Sequence, residues 1–266
     1  MKRVLGNQQI LLSHMPTDES QPLCKQVVLV TGAAARIGAT LARSLHGVGA
    51  DVVVHYHRSA AAAEALVAEL NAKRGDSAIA LSGDVREADI CKRLVDEATS
   101  WHDRLDILIN NASSFYPTPL GTGTAEQWHD LIGSNLLGPF FLSQAAAPHL
   151  KRSPNGNIVN LIDIYADKAL ADYPIYCAAK AGLASLTRSL ALALAPDVRV
   201  NGIAPGSILW AVPEPSDAQK QHSLAQIPLG QLGGTQPIAE AAHYLLVNAS
   251  YVTGQIMAID GGRSIN

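Results

Sequence analysis

Cysteine is scarce in this chain. Cys24, Cys91 and Cys177 are its three, with no CxxC pair among them. That excludes a disulfide framework and a zinc site built on paired cysteines, and it fits a reducing compartment. Charge is sparse too: 16% of residues, 20 basic against 23 acidic, for a net charge of −3. A domain that holds nucleic acid is usually markedly basic, so no nucleic-acid partner is expected. No apolar run approaches the roughly 18 residues of a membrane-spanning helix. The first twelve residues carry Lys2 and Arg3, but Asn7-Gln8-Gln9 interrupts them, so they make a poor signal peptide. A cytoplasmic location without membrane attachment is expected. Aromatic residues are only 5%, so alanine and the aliphatics carry a hydrophobic fraction of 48%. This is too apolar for disorder, and it suits helices packed tightly on a sheet.

What is present is a repeating pattern. Residues 1–25 are polar and lack a sustained period, so a loosely ordered extension is expected there. From Gln26, short apolar runs alternate with alanine-rich helical stretches. The runs are Val27–Val30, Asp51–His55, Ala78–Leu81, Asp106–Ile109, Asn157–Leu161, Val198–Ile203 and Gln255–Ile259. Continuous apolar strands are buried on both faces, and their alternation with helices implies a parallel sheet. The pattern predicts a single α/β domain over residues 26–266: a Rossmann-type, doubly wound, seven-stranded parallel sheet with helices on both faces. One helix is expected through Trp128 to Leu137, extended or rejoined toward His149. The Pro-containing loop around residues 207–234 is expected to form a substrate lid, in which Trp210 meets the substrate, anchors the lid or touches another subunit.

Thr31-Gly32-Ala33-Ala34-Ala35-Arg36-Ile37-Gly38 follows the first strand and opens the first helix. Small residues there let backbone N–H groups approach a pyrophosphate at the positive helix end. Alone, such a turn is as compatible with no ligand as with a nucleotide. After the second strand come His57, Arg58 and Ser59, without a carboxylate to hold a free ribose hydroxyl. Arg58 offers a fork of donors for a 2′-phosphate; the plain alternative is a solvated basic turn. Asp84-Val85 after the third strand are placed to cover an adenine, and Asn111-Ala112 after the fourth to pass beneath the same cofactor. All lie at carboxyl ends of strands, where doubly wound sheets bind ligands. NADPH is the expected cofactor.

Tyr176 and Lys180 are four apart on a predicted helix and so share a face. A free phenol, with a pKa of about 10, is sluggish near neutrality, and an adjacent ammonium favours its phenolate. Asn135 is a candidate positioner of the lysine, and Asp163 follows the fifth strand. A YxxxK spacing is common by chance, and its weight comes from this context. Glu240 and His243 share a helix without further partners, so no metal is expected, and Cys177 is expected to pack.

Together these residues resemble the short-chain dehydrogenase/reductase family from Lys25 to Ser264. The resemblance rests on the Thr31–Gly38 turn, Asn110-Asn111-Ala112, Asn135, Tyr176 with Lys180, Pro205-Gly206 and the closing Asp260-Gly261-Gly262. Two departures are informative: Arg36 replaces the middle glycine of the turn, and Asp163 stands where a serine is usual. With His55 to Ser59 and the segment Ser113 to Pro119, both are similar to the pteridine reductase branch. That resemblance implies catalytic roles for Asp163, Tyr176, Lys180 and Asn135. It implies cofactor contacts at Gly32, Arg36, Ile37, Gly38, Ser113, Pro205, Gly206 and Ser207. Arg36 would also meet the pterin, Phe115 would stack on it, Ser113 would bond to it, Tyr173 would line its pocket, and Asp163 would feed protons to Tyr176. It further implies a homotetramer. The expected activity is NADPH-dependent hydride transfer to a C=N bond of a pterin. A 3-oxoacyl thioester reductase is the competing enzyme, and a non-catalytic NADP(H) sensor the competing class.

Overall fold

The computed structural model describes residues 21–266. Most of the expected extension, residues 1–20, lies outside the described residues. Seven strands form one parallel sheet: β1 (Val27–Val30), β2 (Asp51–Tyr56), β3 (Ala78–Ser82), β4 (Ile107–Asn110), β5 (Gly156–Leu161), β6 (Val198–Pro205) and β7 (Ile256–Ile259). Their order is β3-β2-β1-β4-β5-β6-β7. From β1 the chain winds outward in one direction to β3, then returns beside β1 and winds in the other. The carboxyl ends of β1 and β4 therefore bracket the crevice where such sheets take ligands.

The apolar strands are explained by burial on both sides. Val28 and Val30 of β1 belong to one core, with Val52, Val54, Ile107 and Ile109. Val27 and Leu29 point to the other, with Val53, Leu108 and Ile158. Alternation thus serves two cores, and no polar face is left for β1. β7 closes the sheet as a half-exposed edge strand.

Helices α1 (Arg36–Gly47) and α2 (Ala60–Lys73) contribute to the first core, α3 (Ala88–His102) to the second. The long helix after β4 differs from a plain α-helix. It runs as α4 (Ala125–Ile132), a π-helical turn (Gly133–Leu137) and α5 (Gly138–Leu150). Thr124 and Gln127 form a reciprocal capping box at its start. Helix α6 (Pro174–Leu194) begins at a proline in the first turn, where no donor is lost. Helices α7 (Asp217–Ala225) and α8 (Gln236–His243) complete the series, and α7 buries none of its residues.

The ordered domain starts earlier than the composition suggests. Leu23 is completely buried, and its N–H donates to the Val48 carbonyl at 3.1 Å. Gln21–Lys25 therefore belong to the folded unit, because one apolar side chain in a polar stretch fills a gap beside α1.

Candidate active site

Two connected cavities open at the carboxyl ends of the strands. The first, about 570 Å³, follows the β1–α1 turn and reaches the loops after β2, β3 and β4. Gly32 has φ of +62°, and a Cβ there would sit 3.0 Å from the Ala112 Cα. At Gly38 a Cβ would come within 2.3 Å of the Gly32 carbonyl oxygen. Glycine is required at both places because backbone meets backbone. Arg36, by contrast, is an arginine at φ +52°. The left-handed geometry persists without the glycine that relieves it, at a cost of order 1–3 kcal/mol. Its Nη2 donates to the Trp210 carbonyl at 3.1 Å, tying the turn to the segment after β6.

Buried polar groups fasten this cavity from behind. Thr31 Oγ1 accepts the N–H groups of Asn111 and Ala112 at 2.9 and 3.0 Å, and Asn111 Nδ2 donates to the Thr31 carbonyl at 2.8 Å. His55 is the residue that sequence reasoning missed. Its Nδ1 accepts the Gly32 N–H at 3.1 Å, and its Nε2 lies 3.1 Å from the Gly83 carbonyl. An Nδ1 that accepts requires the proton on Nε2, so the ring is a neutral clip between two loops. Burial is the main cause that pushes its pKa down to about 4. The available signal was a histidine inside an otherwise apolar strand.

His57, Arg58 and Ser59 line the mouth of the same cavity. Among the described residues Arg58 enters no ion pair. Asp84 and Val85 line it too, but the Asp84 carboxylate is engaged. Arg86 Nε donates to it at 2.9 Å, and hydrogen bonding to Arg86 pulls its pKa down to about 2. Arg86 Nη1 also reaches Asp130, which accepts the Tyr116 hydroxyl at 2.9 Å.

The second cavity, about 470 Å³, shares Arg36, Ile37, Asn111 and Ser113 with the first. It brings together Phe115, Asp163, Tyr173, Tyr176, Lys180, Pro205, Gly206 and Ser207. Tyr176 donates its hydroxyl proton to Asp163 Oδ2 at 2.7 Å, while Asp163 Oδ1 accepts the Tyr165 N–H at 2.9 Å. Burial, then the Asp163 charge and hydrogen bond, hold the Tyr176 phenol well above its ordinary pKa. Burial likewise raises Asp163 and brings Lys180 down to about 8.

Two expectations change here. Lys180 Nζ donates to the Leu161 carbonyl at 2.7 Å and stands 5.7 Å from the Tyr176 ring centroid. In this arrangement burial, and after it Asp163, favours the protonated phenol, and the ammonium is bonded to a backbone carbonyl and not to the phenol. Asn135 does not hold the lysine through its side chain either. From inside the π-helical turn its Nδ2 donates to the Ser114 carbonyl at 2.9 Å, fixing the loop that presents Ser113 and Phe115. Its Oδ1 is buried without a partner among the described residues. Extra helical turns of this kind often mark functional sites, because they redirect one side chain.

Phe115 is not a core residue. It is 50% exposed, stacks on Tyr173 at 4.6 Å between centroids, and meets Tyr176 edge-on at 4.8 Å. The segment after β6 is fastened to the site: Gly233 N–H donates to the Ser207 carbonyl at 3.0 Å and Leu229 N–H to Gly261 at 3.1 Å. Trp210 adds its carbonyl to Arg36, and it lines the cavity. Arg263, which the sequence reading did not single out, lines the cavity as well.

Known proteins match this chain over most of its length. The family described as enoyl-(acyl carrier protein) reductase matches residues 32–264. Pteridine reductase 1 of Leishmania tarentolae is 36% identical over 279 aligned residues, covering 90% of this chain and 96% of the relative. The 3-oxoacyl-[acyl-carrier-protein] reductase of Staphylococcus aureus is 37% identical over 237, covering 88% and 96%. That of Synechocystis is 35% identical over 243, covering 90% and 97%. Identity alone does not separate the two chemistries.

Proposed function

The chain belongs to the short-chain dehydrogenase/reductase family of oxidoreductases, and from that premise we propose that it is an NADPH-dependent pteridine reductase. The observation that carries this reading is the Asp163–Tyr176 pair, bonded at 2.7 Å beside the exposed ring of Phe115. A hydroxyl at position 163 would steady a carbonyl oxygen; a carboxylate repels one. A carboxyl bonded to a phenol instead forms a proton relay, and a half-exposed aromatic ring suits a flat heteroaromatic ring more than a flexible acyl chain. Aromatic pairing adds about 0.5–1.5 kcal/mol beyond burial.

The glycine cradle at Gly32 and Gly38, the amino end of α1 and Arg58, in no ion pair among the described residues, fit a phosphorylated dinucleotide. When bound there, NADPH supplies the hydride for reduction of a C=N bond. Tyr176 gives its proton to the substrate nitrogen, and Asp163, once protonated from solvent, is the neighbour that returns one to the phenol. Phe115 holds the ring flat, with Tyr173 and Ser113 beside it. Lys180 contributes positive charge near the phenol and would be a donor to the ribose of a bound cofactor. Arg36 serves the pyrophosphate side and the substrate side, since it lines both cavities. Residues 207–234 act as the lid.

The 3-oxoacyl reductase reading is favoured by the relatives at 37% and 35% identity. NADPH oxidation measured against dihydropterins, with a 3-oxoacyl thioester as control, separates the two. Turnover of the thioester alone overturns the pteridine reading. Leu192 on α6 is 84% exposed and Phe140 on α5 39%; we assign these faces to subunit pairing in a homotetramer, and a monomeric mass in sedimentation at micromolar concentration would overturn that. The free cysteines fit a cytoplasmic setting. Among the described residues no helix is long and apolar enough to cross a membrane.

A further inference from the structure

Arg263 brings to the substrate cavity a charge that no ion pair among the described residues takes up. It stands in a terminal 3-10 turn, Arg263–Ile265, directly after β7 and two glycines in left-handed conformation. The backbone around it is clamped. Asp260 accepts the Gly262 and Ser264 N–H groups at 3.0 and 2.7 Å, and Lys168 Nζ donates to the Arg263 carbonyl at 3.0 Å. The guanidinium is thereby presented to the cavity that holds Asp163, Tyr173 and Tyr176.

Its partners are all neutral. Nη1 donates to Ser207 Oγ, Nη2 to Gln226 Oε1 at 3.0 Å, and the Tyr165 phenol feels both its charge and a hydrogen bond. Among the described residues no ion pair includes Arg263. Its charge does reach Asp163, where it opposes the rise that burial imposes. A guanidinium carries five N–H donors in a fork matched to carboxylate geometry. Neutral oxygens leave both its charge and part of that fork unused. A cation held in place at a ligand cavity without a carboxylate of its own is suited to one that arrives with the ligand.

We propose that Arg263 is a specificity residue that binds a carboxylate on the substrate's side arm, so that this enzyme prefers pterins with an acidic tail over pterins with a neutral one. The inference rests on the pteridine reductase reading and names the substrate class within it. Ser207 and Gln226, both in the segment after β6, hold the guanidinium, so that the tail would be gripped against that segment. An anchor remote from the reacting atoms acts mainly on KM.

The test compares dihydrofolate, whose tail carries carboxylates, with dihydrobiopterin, whose side chain is neutral, in the full-length protein with NADPH. Glutamine at 263 keeps an amide donor without charge, and lysine keeps charge without the fork. For a partly exposed charge-assisted contact, Arg263→Gln is expected to raise the KM for dihydrofolate about tenfold and to leave dihydrobiopterin within about twofold. Arg263→Lys is expected to fall between. Equal losses on both pterins would mean that Arg263 only fastens the lid, and no loss on either would make it a bystander; both results overturn the inference while the pteridine reading stands. Turnover of a 3-oxoacyl thioester with neither pterin overturns the reading itself, and the inference with it.

Discussion

The two ends of the active site are built from different materials. At the cofactor end the contacts are backbone to backbone: Gly32 against Ala112, Gly38 against Gly32, and Thr31, His55 and Asn111 stitching the loops from behind. At the substrate end the working surface is made of side chains, with Phe115 half exposed and α7 burying nothing. The first is a fixed cradle in which a methyl group cannot be added. The second is a set of projecting groups that can be exchanged while the sheet stays as it is. A scaffold of this kind could keep one cradle while its projecting groups change, and relatives of two different names stand at nearly equal identity to the chain.

Substitutions at the substrate end should therefore damage turnover and spare the fold. The largest effect is expected at Tyr176→Phe, which removes the proton donor and should lower kcat by about 10²–10⁴-fold. NADPH affinity, read by quenching of protein fluorescence, should be nearly unchanged; joint loss of both would erase the division between the ends. Phe115→Ala comes next, lowering pterin kcat/KM by roughly tenfold to a hundredfold if stacking contributes about 1.4–2.8 kcal/mol. Its melting temperature should move far less than for a core Phe→Ala, which loses about 3–5 kcal/mol. A variant that melts readily yet turns over normally would contradict a stacking role.

At the cofactor end the signatures reverse. Arg58→Ala should weaken NADPH by about tenfold, the lower range for a charge-assisted contact because the side chain is exposed, and leave NADH alone. Equal affinity of the unmodified protein for both cofactors would argue against a 2′-phosphate site. The smallest effect concerns His55, whose folded pKa of about 4 lies below the ordinary 6.5. Between those values the unfolded chain binds the extra proton and the folded one does not, so stability should fall as pH drops through that window. His55→Asn should flatten this part of the curve in urea titrations, and an unchanged slope would remove the histidine from the account.

Much of this was readable in the sequence because it depends on local order. Seven apolar runs between helices imply the sheet, and the Thr31–Gly38 turn and the Tyr176/Lys180 spacing mark its ligand edge. What escaped depends on neighbours that the chain brings together only on folding. No spacing announces that His55 joins Gly32 to Gly83, that Asn135 reaches Ser114 instead of Lys180, or that Tyr176 donates to Asp163. Leu23 was assigned to a loose extension because one apolar residue makes no period, yet its burial is complete. Arg263 stands in no motif, and only the pairing of β7 with β6 at the edge of the sheet brings it into the cavity that holds Asp163.

Arg36 carries a consequence for anyone who would improve this protein by selection. Its backbone sits at φ +52°, a conformation glycine adopts without steric penalty, while its side chain spans both cavities and holds the Trp210 carbonyl. A screen that rewards heat resistance alone would find glycine attractive at this position and would discard a side chain that lines both cavities. A screen that rewards turnover would retain the strained arginine. Position 36 is thus a place where robustness and performance are in direct conflict, and a library built there should be sorted on both traits together.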